Sequence, residues 1–203
     1  MNLPNKLTVL RVILVPVFML FLCVPLGLSD TLVRVIAAVL FALTSLTDML
    51  DGKIARKYNM ITDFGKLMDP LADKFMVIGA LTVIVFRARF ETTCLFYTLI
   101  LLIVVFRELG VSALRLVASS SSGAVVAANM LGKIKTVMQI IFISTGFIEP
   151  ALYAIPALGK ILPVWWVQNV PLSYLTGGLT LLFTVWSGIN YFIGMWKYLD
   201  PAK

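Results

Sequence analysis

The chain has 203 residues, 60% of them hydrophobic and 13% charged. A soluble domain carries about 25% charged residues, so the composition points to a single membrane-embedded body over residues 1–203. There is no histidine and there are two cysteines, which excludes a histidine general base, an imidazole-ligated metal and a four-thiolate zinc site. Cys23 and Cys94 sit in apolar runs and read as small hydrophobes. Chemistry is left to carboxylates, hydroxyls, Lys, Arg or a bound ion.

The apolar runs predict an all-α membrane protein with six transmembrane helices, at about 7–27, 31–57, 66–86, 94–115, 125–149 and 172–196. Each is near the roughly 20 residues a helix needs to cross hydrocarbon. Continuous apolar runs, rather than alternation, exclude a transmembrane barrel. Lys6 and Arg11 before the first run imitate a signal peptide. No small-x-small cleavage site follows, so that run reads as a mature helix. Ser119–Ser122 reads as a polar loop or helix end. Residues 150–171 hold Pro150, Pro156, Pro163 and Pro171, four of the nine prolines. They predict an irregular connection, with Trp165 and Trp166 at a membrane interface. Phe18, Met19, Trp186 and Trp196 read as lipid or helix contacts.

With six spans and the N-terminus inside, Lys6, Arg11, Lys53, Arg56, Lys57, Lys66, Lys74, Arg107, Arg115, Lys133, Lys135, Lys197 and Lys203 fall inside. Arg34, Arg87, Arg89 and Lys160 fall outside, a split of thirteen to four that sets the orientation. The net charge of +7 then lies mostly on one face. It suits anionic membrane lipid or a phosphate-bearing substrate.

Four of the ten acids crowd one stretch: Asp48, Asp51, Asp69 and Asp73. Asp48 and Asp51 are three apart, and Asp69 and Asp73 four apart, so each pair shares a helix face. The second span runs down and the third runs back, which sets the pairs opposite each other across a hairpin. Thirteen residues separate Asp73 from Phe86, about 20 Å of helix, so Asp73 lies near the inner headgroup layer. Acids at that depth need partners. An all-oxygen set favours Mg²⁺ or Mn²⁺ over zinc or copper, and four carboxylates suit two ions. Gly52 and Ala55 leave a groove where a ligand can approach the backbone, and Gly65 shares the face of Asp69. Arg56 suits phosphate oxygens. Pro70 predicts a helix start or kink, because it lacks an N–H and biases Asp69 away from helical geometry.

The spacing D-x2-D-G-x2-A-R-x8-G-x3-D-x3-D, running from Asp48 to Asp73, resembles the signature of the CDP-alcohol phosphatidyltransferase family, with every fixed position filled. Pro4–Thr8 with Arg11, Thr62–Lys66, Arg107-Glu108, Ser112–Arg115 and Gly132–Thr136 resemble one bacterial branch of it. The resemblance implies a dimeric six-helix enzyme of the bacterial inner membrane, its site facing the cytoplasm. It implies transfer of a phosphatidyl group from CDP-diacylglycerol to sn-glycerol 3-phosphate, releasing CMP; nucleic acid has no part in it. By the same resemblance Asp48, Asp51, Asp69 and Asp73 hold the metal ions, and Asp73 is also the general base. Gly52, Ala55, Arg56, Thr62 and Gly65, with Asn5 and Thr8, fall to CDP-diacylglycerol.

An acceptor with its own phosphate needs further cations, and Arg107, Arg115, Lys133 and Lys135 are the candidates. Topology alone also accounts for basic residues on this side. Glu108 is expected to orient one of them. Two other readings stay open: the same reaction with serine or inositol phosphate as acceptor, and a membrane cation transporter. Transport predicts acids spread through the membrane depth, whereas these lie toward one end.

Overall fold

The computed structural model describes residues 3–24, 27–57, 63–88, 90–122, 130–153, 155, 157 and 160–196; within these, the side chains of 3–5, 7, 48–57, 63, 66, 67, 119–122, 167 and 168 are not described. Seven helices occur among the described residues: α1 (Leu3–Cys23), α2 (Asp30–Lys57), α3 (Asp63–Phe86), α4 (Glu91–Ser122), α5 (Met130–Tyr153), α6 (Val164–Asn169) and α7 (Pro171–Met195). The described part of the chain is all-α.

Four stretches are long and apolar enough to cross a membrane: Asp30–Thr47, Glu91–Ala118, Met130–Tyr153 and Val164–Met195. In α1 the apolar stretch is shorter, Thr8–Cys23, because polar residues open that helix. In α3 the first half carries Asp63, Lys66, Asp69, Asp73 and Lys74. Ser119–Ser122 lies within the predicted helix end, since α4 runs through it. Two expectations are corrected. Helix α3 begins at Asp63 and runs through Pro70, so the proline is not its start. Residues 150–171 are only partly irregular: α5 continues to Tyr153, and Trp165 and Trp166 sit on the short helix α6.

Large apolar side chains point outward along every long helix, including Leu20, Leu43, Phe75, Leu102, Phe106, Leu182 and Ile193. Such a surface marks a lipid-facing body. The interior is often small or polar instead. The buried residues of α7 are Ser173, Gly177, Thr180, Thr184, Ser187, Tyr191 and Met195, a stripe at helical spacing. Small residues let helices approach where lipid removes the hydrophobic drive for association. At Gly177 an added Cβ would meet Phe96 Cε1 at 2.7 Å and Ile100 Cδ1 at 2.8 Å. Thr180 Oγ1 donates to the Met138 carbonyl at 2.9 Å. Helix α7 packs on α5 and α4, and α3 packs chiefly on α1. The core joins Ala37 and Phe41 of α2, Ala80 and Leu81 of α3, Val104 of α4 and Phe142 and Phe147 of α5.

The ends of the bundle are pinned by charge. At one end Arg87 donates to the Leu22 carbonyl at 2.8 Å, and Arg34 donates to the Arg87 carbonyl at 3.1 Å. Both guanidiniums also bond Asp30. The end of α1, the start of α2 and the end of α3 therefore meet there. Asp69 and Asp73 lie at the opposite end of α3.

The start of α7 has no side-chain cap of its own, because Val170 stands at the N-cap with φ 38°. Glu149 caps it from α5. Its carboxylate accepts from the backbone N–H of Leu172 at 3.0 Å and of Ser173 at 2.7 Å, and from Ser173 Oγ at 2.6 Å. A negative group at a helix N-terminus satisfies orphan donors and the dipole together. Glu149→Ala should cost about 3 kcal/mol in detergent unfolding, because it strands the buried Ser173 N–H and hydroxyl and the half-buried Leu172 N–H. Glu149→Gln should cost less, and equal losses in the two would contradict this capping role.

Candidate functional site

The acidic end is assembled from α1 and α3. Thr8 Oγ1 donates to Asp69 Oδ1 at 2.5 Å. Three residues on, one helical turn, Arg11 Nη1 lies 3.5 Å from Asp73 Oδ1. Asp69 and Asp73 are likewise one turn apart, so the two pairs stack in register along parallel helices. Thr8 and Arg11 are buried, whereas Asp69 is exposed and the Asp73 side chain is 49% exposed. The carboxylates therefore face outward from a buried hydrogen-bonding wall. Gly65 is buried one turn before Asp69.

For the other acidic pair, the backbone of Asp48 and Asp51 is helical on α2, as is that of Gly52, Ala55 and Arg56. Their side chains, and that of Asn5, lie outside the described residues, and so does Thr62 altogether. The chemistry of the described donors fits a hard divalent cation: Asp69 and Asp73 offer oxygen alone, half in the open, one turn apart.

A basic cluster is built by α4, α5 and α7. Glu108 sits at the centre: Lys135 Nζ donates to its Oε1, and Arg107 Nη1 lies 3.2 Å from the same oxygen. Lys135 and Glu108 thereby tie α5 to α4. Arg107 Nη2 also donates to Ser187 Oγ at 2.6 Å, and Arg115 Nη2 donates to Tyr191 Oη at 2.6 Å. Both guanidiniums lie over the Tyr191 ring, 5.5 Å and 4.9 Å from its centroid. Gly132 leaves room for this: an added Cβ would stand 3.6 Å from Tyr191 Oη and 3.9 Å from Arg107 Nη2.

Arg107, Arg115 and Lys135 thus converge. Lys133 is exposed, and no contact ties it to the group among the described residues. Two positions before Lys135, it points about 200° away around the helix. Glu108 orients cations, as its place beside Arg107 suggests.

Sequence reasoning missed Arg11, Ser187 and Tyr191 as parts of the site. Arg11 counted only toward topology and the motif, although it stands one turn from Thr8. Ser187 and Tyr191 lie in a charge-free run, and their signal was the polar spacing along α7. Thr8→Val keeps the shape and removes the bond to Asp69. It should cost about 1 kcal/mol in thermal unfolding, and no measurable change would remove that bond from the wall.

The CDP-alcohol phosphatidyltransferase family model matches residues 1–186. The chain is 38% identical over 210 residues to the CDP-diacylglycerol–glycerol-3-phosphate 3-phosphatidyltransferase of Bacillus subtilis (strain 168), covering 100% of this chain and 99% of the relative. It is 39% identical over 149 residues to the protein of that name from Rickettsia typhi, covering 70% of this chain and 74% of the relative. A probable phosphatidylglycerophosphate synthase of Mycobacterium tuberculosis is 33% identical over 190 residues, covering 94% and 79%.

Proposed function

The chain belongs to the CDP-alcohol phosphatidyltransferase family, and on that premise we propose that it transfers the phosphatidyl group of CDP-diacylglycerol to sn-glycerol 3-phosphate. The products are phosphatidylglycerol phosphate and CMP. The observation that carries this reading is the convergence of Arg107, Arg115 and Lys135 around Glu108 and Tyr191. Cations set apart from the acids suit an acceptor that brings its own phosphate, which serine does not. The names of the relatives support the same acceptor.

Asp48, Asp51, Asp69 and Asp73 would hold two Mg²⁺ or Mn²⁺ ions. When bound, such ions neutralise the donor diphosphate and the charge that develops on departing CMP. Thr8 and Arg11 fix Asp69 and Asp73 from behind, so these carboxylates need no reorganisation during the reaction. Asp73 takes the proton of the primary hydroxyl of glycerol phosphate. The freed oxygen attacks the lipid-side phosphorus, a new P–O bond forms, and the bond to CMP breaks. Arg107, Arg115 and Lys135 hold the acceptor phosphate, and the planar guanidiniums suit it bidentately. Gly52, Ala55, Arg56, Thr62, Gly65 and Asn5 are assigned to the nucleotide and diphosphate of the donor. An apolar cavity of about 430 Å³ between α1 and α2, lined by Leu14, Phe18, Phe21, Leu40, Thr44 and Met76, suits a donor acyl chain. Its Thr44 lies one turn before Asp48, and Met76 lies three residues after Asp73.

All six long helices cross the bilayer in this reading, with α1 and α3 completed by interfacial turns. The site then faces the cytoplasm from the bacterial inner membrane, as the thirteen-to-four charge split requires. The family resemblance adds a homodimer, which light scattering of the detergent-solubilised protein tests.

Purified protein given CDP-diacylglycerol should release CMP at least about tenfold faster with sn-glycerol 3-phosphate than with serine or inositol phosphate. A chelator should stop it, and Mg²⁺ or Mn²⁺ should restore it. Preference for another acceptor would reassign the substrate, and ion flux without CMP release would favour a transporter. Asp73→Asn should lower kcat by about 10²-fold or more. Arg115→Ala should raise KM for glycerol phosphate about tenfold, and Tyr191→Phe less, with KM for CDP-diacylglycerol unchanged in both. Equal effects on the two KM values would remove these residues from the acceptor pocket.

A further inference from the structure

The basic cluster is closed on a carboxylate of its own. Lys135 Nζ and Arg107 Nη1 both meet the same oxygen of Glu108, Oε1. The side chains of Lys135, Arg107 and Glu108 are only 5%, 11% and 13% exposed. Arg107 is engaged on a second nitrogen as well, where Nη2 donates to Ser187 Oγ at 2.6 Å. Cations this enclosed have little surface to offer an incoming phosphate while they face Glu108. Arg115 is exposed instead, and gives the phosphate its first contact. Full binding then requires Lys135 and Arg107 to exchange Glu108 for the ligand.

That exchange is chemically even-handed. Carboxylate and phosphate are both strong partners for Arg and Lys. Glu108 serves two cations through one oxygen, and Arg107 Nε is buried without a hydrogen-bond partner. A phosphate monoester brings three acceptor oxygens and about two negative charges at neutral pH, so it fills the guanidinium fork better. Lys135 has a flexible four-carbon stem with which to follow it. Glu108 is fixed in the chain, and stands ready whenever the phosphate leaves.

Release matters in this reaction. The acceptor reacts through its primary hydroxyl, so its phosphate passes unchanged into the product. The pocket must let go of the same group that it bound, now tethered to a membrane lipid and held at high local concentration. We propose that Glu108 is a built-in competitor for the acceptor phosphate. It holds Lys135 and Arg107 before the acceptor arrives, yields them to glycerol phosphate, and takes them back as the product leaves. Its negative charge beside the bound phosphate weakens binding and speeds departure. This inference rests on the reading of the cluster as the acceptor-phosphate pocket.

A carboxylate that only held the cations in place would bind phosphate worse when removed; a competitor binds it better. Full-length protein in detergent is titrated calorimetrically with sn-glycerol 3-phosphate, without CDP-diacylglycerol, so that no turnover occurs. Glu108→Gln keeps the shape and removes the charge, and should lower Kd about tenfold. Removing the charge also leaves Lys135 buried without its carboxylate, which destabilises the fold. Glu108→Asp therefore serves as a second variant: it keeps the charge on a stem one carbon shorter, and its Kd should fall between the other two. Thr93→Val, fourteen residues before Arg107 and about 21 Å away along α4, should leave Kd unchanged. In turnover, Glu108→Gln should lower both KM for glycerol phosphate and kcat, because product leaves more slowly. An unchanged or raised Kd in the folded Glu108 variants, with binding still weakened by Arg115→Ala, would overturn the competitor and leave the pocket standing. Wild-type protein that binds no glycerol phosphate saturably, or binds it equally well as Arg115→Ala, would overturn the pocket and the competitor together.

Discussion

Carboxylates at a membrane boundary repel one another and lose hydration, so they persist only where positive charge or hydrogen bonds compensate them. Here the compensation begins in the fold itself. Helix α1 lies along α3 in register, and the buried Thr8 and Arg11 meet Asp69 and Asp73 from within. That contact leaves the outer lone pairs of both acids directed toward the open side. The rest of the arrangement depends on it. Were α1 displaced by a turn, both of these pairings would be lost.

The two ends of the bundle use the same physical means for different purposes. At the acidic end, Glu108 gathers Arg107 and Lys135, while Ser187 and Tyr191 of α7 hold Arg107 and Arg115. The positive charge exceeds the acid that organises it, which suits a phosphate that arrives and leaves. At the opposite end, Asp30 ties Arg34 and Arg87 to the termini of three helices. Between the two, helix packing rests on small and hydroxylated residues such as Gly177 and Thr180, as expected where lipid makes apolar surface uninformative.

Most of the helix plan was legible in the sequence, because apolar runs and charges mark where helices enter and leave a membrane. All six expected spans overlap long helices. Of the start or kink expected at Pro70, the start is overturned: a proline in the first turns of a helix removes a single backbone bond, and α3 begins before it at Asp63. The chemistry of the acids was legible from spacing. Their support was not. Arg11 looks like a topology signal until α1 is known to pack on α3, and nothing local relates it to a residue sixty-two positions away. Tyr191 and Ser187 were equally hidden, since a charge-free run reads as lipid-facing until its polar residues are counted at helical spacing. Lys133 and Lys135 show the opposite error: two positions apart in the chain, they point to different sides.

The most direct measurement is Mn²⁺ binding by electron paramagnetic resonance to the full chain in lipid nanodiscs, with CDP-diacylglycerol present. The predicted result is saturable binding of two ions, strongly weakened in Asp69→Asn and Asp73→Asn and retained in Thr93→Val. A folded protein that binds no Mn²⁺ saturably, or whose binding is indifferent to both aspartate substitutions, would contradict it.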